Sequence, residues 1–181
     1  GVGLTVTAVP TDASRPIGHG IGPALEVRDV WSVLRNDPDA PSDLREKALD
    51  FAGIILDWDP DVENGRERAR ALLEDGAALD RMERIVDLQG RKEHPIAPGS
   101  LAHDVLASRS GQVTGIDCYR VASIARRAGA PMDKGAGIDF LAPIGAAVMA
   151  GDPLYRILGN VETDLRLAVE AAERDNGIAI S

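Results

Sequence analysis

The sequence predicts an α/β segment followed by a small α+β half, and three observations carry that reading. Leu4-Thr5-Val6-Thr7-Ala8-Val9 is a β-branched run that Pro10 ends, the pattern of one strand. Residues 23–90 then repeat apolar side chains every three or four positions, as helices do. Beyond residue 100 the period shortens to alternation, as strands do. Residues 91–100, with Pro95, Pro98 and Gly99, form the expected linker between an N-terminal part at 1–90 and a C-terminal domain at 101–181.

The strand at 4–9 cannot be a sheet by itself. Its partners are expected upstream of Gly1, and Gly1-Val2-Gly3 reads as cut from something longer. Gly18-His19-Gly20-Ile21-Gly22 is a loop, and Pro23 suits the first turn of a helix, where its missing N–H costs nothing. That helix runs over 23–34 with Ala24, Val27, Val30, Trp31 and Leu34 on one stripe. Ser42 is the expected N-cap of a second helix that faces Leu44, Ala48, Phe51, Ala52 and Ile55 inward. A third pattern starts at Asn64, is punctuated by Gly76, and continues through Leu79, Met82, Ile85 and Val86 until Gly90 stops it.

In the C-terminal half, residues 105–108 and 112–116 read as strands around Ser110-Gly111. A short helix is expected at 120–128, strands at 138–142 and 153–158, a helix at 161–174 and a closing strand at 177–180.

Composition removes several function classes. The 181 residues hold 20 Lys+Arg against 29 Asp+Glu, a net charge of −9, with the acidic excess spread along the chain. Nucleic-acid binding needs a basic face to displace counterions, so no nucleic-acid partner is expected. Only 3% of the residues are aromatic, too few for a stacking platform. No apolar run approaches the roughly 20 residues of a membrane-spanning helix. One cysteine, Cys118, builds no disulfide framework, and the cytoplasm is the expected compartment.

Few motifs carry chemistry. Gly18-x-Gly20-x-Gly22 before a helix invites a phosphate-binding reading, with Arg15 and His19 as helpers, but its spacing is not that of a dinucleotide loop, and turn glycines are the preferred reading. Asp57-x-Asp59-x-Asp61 opens like a calcium loop, yet Val62 stands where the turn glycine belongs and Arg68 where a bidentate Glu belongs, so a solvated acidic loop is expected. His19, His94 and His103 lack ligand partners at helical spacing, and no zinc site is expected. Cys118 reads as a packed thiol at a strand end, and Lys134 lacks the glycine spacing of a nucleotide-binding loop. The stretches 111–113 and 145–154 look like the two hairpin halves of a biotinyl/lipoyl-type sandwich, but no lysine sits at their turn, which disfavours a swinging-arm carrier.

Three separated stretches are more specific than any of these motifs. The first holds Thr11-Asp12, Pro16-Ile17-Gly18 and Ala24-Leu25-Glu26-Val27; the second is Asp75-Gly76-Ala77 followed by Gln89-Gly90. The third is Asp133-Lys134-Gly135-Ala136-Gly137-Ile138, followed by Gly145 and Gly151-Asp152-Pro153-Leu154. Together they resemble, in order and distance, the C-terminal portion of the thymidine phosphorylase family. The form from Pro16 to Pro23 is similar to the branch shared by archaeal-type thymidine phosphorylases and AMP phosphorylases.

The resemblance implies phosphorolysis: inorganic phosphate displaces the base of a pyrimidine nucleoside, giving free base and a pentose 1-phosphate, with no metal or organic cofactor. It implies AMP phosphorylase as the neighbouring alternative, and a non-catalytic scaffold or oligomerisation module as the alternative of another class. The family's phosphate loop and base contacts are expected upstream of Gly1, so no catalytic, cofactor-binding or metal residue is assigned within this chain, and the chain alone is expected to be inactive. By the same resemblance residues 4–9 belong to the central sheet beside the substrate cleft, with Val6 or Ala8 near substrate. Residues 101–181 are implied to form a small hammerhead-like α/β domain, and the whole protein a homodimer or larger assembly.

Overall fold

The computed structural model describes Gly3 and residues 6–181. Its elements in chain order are β1 (Gly20–Ile21), α1 (Pro23–Leu34), α2 (Ser42–Leu56), α3 (Gly65–Glu74), α4 (Ala77–Leu88), β2 (Leu101–Leu106) and β3 (Gly111–Ile116). There follow α5 (Cys118–Arg127), β4 (Gly137–Phe140), β5 (Ala147–Val148), β6 (Pro153–Gly159), α6 (Glu162–Arg174) and β7 (Ile178–Ile180). The described residues are thus mixed α/β, with six helices and two antiparallel sheets, ordered β1-β4-β6-β2 and β5-β3-β7.

Local chemistry explains three of the six helix starts. Pro23 opens α1 after Gly22, and Glu26 reaches back to accept the Gly22 N–H at 3.0 Å. Asn64 caps α3 by accepting the Glu67 N–H, and Asp117 caps α5 by accepting the Arg120 N–H. At α2 the cap is Pro41 with no side-chain bond, so Ser42 is the first helical residue and not the N-cap. The carboxylate of Asp43 there turns to the Leu44 N–H at 2.8 Å.

One core cluster lies in the C-terminal half. Ile138, Leu154, Tyr155 and Ile157 of β4 and β6 pack with Val121, Ile124 and Ala125 of α5 and Ala168 and Ala172 of α6. Tyr155 is fully buried, and its hydroxyl donates to the Asn176 carbonyl at 3.0 Å while its ring meets Phe140 edge-on at 6.2 Å. A second, smaller cluster joins Val33, Leu49, Ala69 and Leu73 of α1 to α3.

Several sequence expectations give way. Leu4 and Thr5 lie outside the described residues, and residues 6–9 form no strand: they are exposed and have no pairing partner among the described residues. A strand pattern without a neighbour has nothing to hydrogen-bond. On α1 Ala24 of the expected stripe is buried, together with Leu25, Asp29 and Val33, while Val27 and Val30 of that stripe are exposed. On α2, Leu49 and Gly53 are buried and Phe51 and Ile55 are exposed. The two strands expected around Ser110-Gly111 form but do not pair with each other: β2 pairs with β6 and β3 pairs with β5 and β7, in different sheets. Cys118 opens α5 and does not end a strand. Two short strands, β1 and β5, had no periodic signal because two residues cannot alternate.

Candidate functional site

The first and third of the resembling stretches meet in space. Gly20 pairs with Asp139 and Ile21 with Ile138 across β1 and β4, and the Phe140 N–H donates to the His19 carbonyl at 2.8 Å. The Ala24 N–H, an unpaired donor of the first helical turn, donates to the Lys134 carbonyl at 3.0 Å. The two backbones lie so close that only glycine fits at the seam. A Cβ on Gly22 would stand 2.3 Å from the Ala136 carbonyl oxygen, and one on Gly137 would stand 2.1 Å from that of Ile21. Gly22 also holds φ at +122, a conformation that other residues rarely adopt.

The glycine loop does present its N–H groups to anions, but the anions are the chain's own. The carboxylate oxygen Oδ2 of Asp29 accepts from His19 at 2.7 Å and from Gly20 at 3.1 Å. Asp43 accepts from Gly18 at 3.3 Å, and Glu26 from Gly22. An incoming phosphate would meet carboxylates where a phosphate cradle offers free donors.

Beside this loop lies a cleft of about 580 Å³. Its lining includes the polar Arg15, His19 and Ser42 and the apolar Ile116, Phe140 and Ile144. Arg28 also lines it and bridges two acids, with Nη1 2.9 Å from Asp139 and Nη2 3.0 Å from Asp29. Partial burial works against the Arg28 charge, but the bonds to Asp139 and Asp29 outweigh it and hold its pKa above the ordinary arginine value. Two of the charged residues that line the cleft, Arg28 and Asp139, thus neutralise each other.

The other sequence candidates do not converge on it. The Asp57 carboxylate accepts the Gly65 N–H at 2.7 Å and that of Asp59 the Asp61 N–H at 3.1 Å, so two of the three acidic side chains serve their own turns. His94 lies exposed in the irregular stretch before β2, and His103 is exposed on β2. The Lys134 ammonium donates to the Pro131 carbonyl at 2.9 Å, and Cys118 is half-buried. Val6 and Ala8 are exposed and are not among the residues that line the cleft.

Arg28, Asp29 and Asp139 escaped the sequence reading. A signal for Asp29 was present: it stands between Leu25 and Val33 at spacings of four, a lone charge on an apolar stripe, which in a buried face requires partners. Nothing local marks Asp139 or Arg28, whose roles exist only when β4 lies against α1.

Comparison with known proteins identifies the surroundings of this seam. Residues 112–179 match the family model described as the pyrimidine nucleoside phosphorylase C-terminal domain. The chain is 56% identical, over 99% of its length, to a bifunctional ribose 1,5-bisphosphokinase-thymidine phosphorylase of Azorhizobium caulinodans, of which it covers 26%. It is 53% identical, over 93% of its length, to a protein of the same name in Cupriavidus pinatubonensis, of which it covers 29%. It is also 50% identical, over 99% of its length, to a protein of Rhodopseudomonas palustris named for thymidine phosphorylase alone, of which it covers 35%. The chain therefore spans about a quarter to a third of the relatives it matches. These relatives are bacterial, and the archaeal-type branch expected from the sequence finds no support among them. Along nearly its whole length the chain is thus similar to part of proteins named for thymidine phosphorylase, and within it residues 112–179 match the pyrimidine nucleoside phosphorylase C-terminal domain.

Proposed function

We propose that the chain is the C-terminal portion of a nucleoside phosphorylase that cleaves a pyrimidine nucleoside with inorganic phosphate. The observation that carries this reading is identity of 50–56% over 99% of the chain to proteins named for thymidine phosphorylase. In such a reaction the enzyme holds a phosphate dianion beside the anomeric carbon and stabilises the charge that grows on the departing base. The chain's contribution is structural. Its glycine-loop N–H groups are occupied by Asp29, Asp43 and Glu26, so the phosphate grip belongs to other parts of the polypeptide.

In this reading residues 1–90 complete a larger α/β domain, 91–100 are a connector, and 101–181 form a hammerhead-like C-terminal domain. The parent is a cytoplasmic homodimer or larger assembly. Among the described residues no helix is long and apolar enough to cross a membrane.

The test is phosphate-dependent release of base from thymidine, uridine and AMP, run in parallel on this chain and on the longer polypeptide. Activity on a pyrimidine nucleoside in the longer protein and none in this chain is the expected result. Silence of the longer protein on all three substrates overturns the proposal and favours a scaffold.

A further inference from the structure

On the lining of the cleft beside the glycine loop, the carboxylates are engaged and several donors are not. The Asp139 carboxylate is paired with Arg28 at 2.9 Å, and the Asp43 carboxylate accepts the N–H groups of Gly18 at 3.3 Å and of Leu44 at 2.8 Å. By contrast, the side chains of Arg15, His19 and Ser42 have no hydrogen-bond or ion-pair partner among the described residues. A guanidinium, an imidazole N–H and a hydroxyl all donate, and the guanidinium is a permanent cation that accepts nothing. What the lining leaves unmatched is therefore a set of donors.

Most of the remaining lining is apolar: Ile116 at the end of β3, Phe140 at the end of β4, and Leu141, Pro143 and Ile144 just after it. Leu141 is 43% and Ile144 37% exposed, so this apolar surface is open to a ligand. The volume of about 580 Å³ lies within the roughly 300–1,000 Å³ of small-molecule sites, which combine an apolar lining with a few placed polar groups. Inorganic phosphate would meet the donors and cover none of the apolar surface. A wholly apolar ligand would strip water from Arg15 and return no acceptor, a desolvation that nothing offsets.

We propose that this cleft binds a small organic anion with an aromatic body, of which a substituted benzoate is the simplest case. The carboxylate meets the Arg15 guanidinium, whose forked donors match its two oxygens, with His19 and Ser42 as further donors. The ring lies against Phe140 and Ile144, where burial of apolar surface adds to the affinity. The proposal uses only side chains of this chain and does not rest on the phosphorylase reading.

The experiment follows para-fluorobenzoate by ligand-observed fluorine NMR in this chain and in the longer polypeptide, beside the neutral para-fluorobenzyl alcohol. Saturable binding of the benzoate is expected in both, with the alcohol at least about tenfold weaker. Arg15→Gln and Ile144→Ser should each weaken the benzoate at least about fivefold, while Arg68→Gln, at an exposed arginine outside this lining, should leave it unchanged. Arg15 and Ile144 are both exposed, so the variants keep the fold, which an unchanged thermal unfolding midpoint verifies. Equal affinity for the alcohol, a benzoate affinity that Arg15→Gln does not alter, or no saturable binding overturns the proposal. Binding in this chain that is lost in the longer polypeptide assigns the cleft to a segment of the remaining polypeptide and also overturns it.

Discussion

The carboxylate of Asp29 accepts the backbone N–H of His19 at 2.7 Å, and through that bond an α-helix holds the loop that precedes it. The same oxygen takes the Gly20 N–H, and the other oxygen takes two bonds from Arg28. Asp29 is 3% exposed, so it is a buried anion whose compensation comes from two amides and one guanidinium.

Asp29→Ala should therefore be one of the most damaging single changes in the chain. It leaves the His19 and Gly20 amides without an acceptor, at a cost of about 3 kcal/mol. Asp29→Asn keeps one acceptor oxygen and should lose less. Urea unfolding of both variants checks the order, and equal midpoints for Asp29→Ala and the parent would refute the anchoring role.

Gly137→Ala should separate β1 from β4. The added methyl would stand 2.1 Å from the Ile21 carbonyl oxygen, so the strand pair must spread, with an expected loss of about 2–3 kcal/mol. Gly115→Ala is the matched control: its nearest neighbour is the Ala179 Cβ at 3.8 Å, and the change should stay within about 1 kcal/mol of the parent. Thermal unfolding of the pair, with amide exchange at Ile21, separates steric crowding from a general intolerance of alanine in strands.

The alkaline limb of stability should depend on Tyr155. Burial, and to a lesser degree the Asp175 charge, push its phenol pKa above the ordinary value. The folded state then holds its proton when the unfolded state has released it. Stability is full below the ordinary tyrosine pKa of about 10 and declines as pH rises from there toward the folded value. Tyr155→Phe should flatten that decline while losing the bond to the Asn176 carbonyl, about 1 kcal/mol at neutral pH. Denaturant midpoints measured from neutral pH to above pH ~10 report both effects.

A smaller effect of opposite sign belongs to Asp104. Its bidentate pair with Arg156 across β2 and β6, at 2.6 and 2.9 Å, holds the carboxyl pKa below its ordinary range. A depressed folded pKa contributes stability above the unfolded value, and that contribution disappears as pH falls through the folded one. Asp104→Asn should therefore differ from the parent at neutral pH and converge with it in acid. Because both side chains are well exposed, the difference should be small and should shrink with added salt.

Much of the fold was legible locally. Pro23, Asn64 and Gly76 mark helix starts by conformations and bonds that involve only their neighbours in sequence, and α1, α3 and α4 begin where they indicate. The change of period after residue 100 likewise announced the strand-rich half. The glycine loop was visible as a loop, but its bonding was not: whether its N–H groups face an external phosphate or Asp29 depends on a helix folding back over it.

The sequence by itself determined the helices, the period of each half and the three stretches that carry the family resemblance, because each is written in residues close together in the chain. Only the tertiary structure decided which stripe of α1 turns inward, since Leu25-Asp29-Val33 and Val27-Val30-Trp31 are both apolar enough to bury and only contact with β4 and α2 distinguishes them. It also decided that Gly20-Ile21 is a strand and residues 6–9 are not. A strand exists through the hydrogen bonds of its neighbour: β4 supplies them to Gly20-Ile21, and no described residue supplies them to Val6-Thr7-Ala8-Val9.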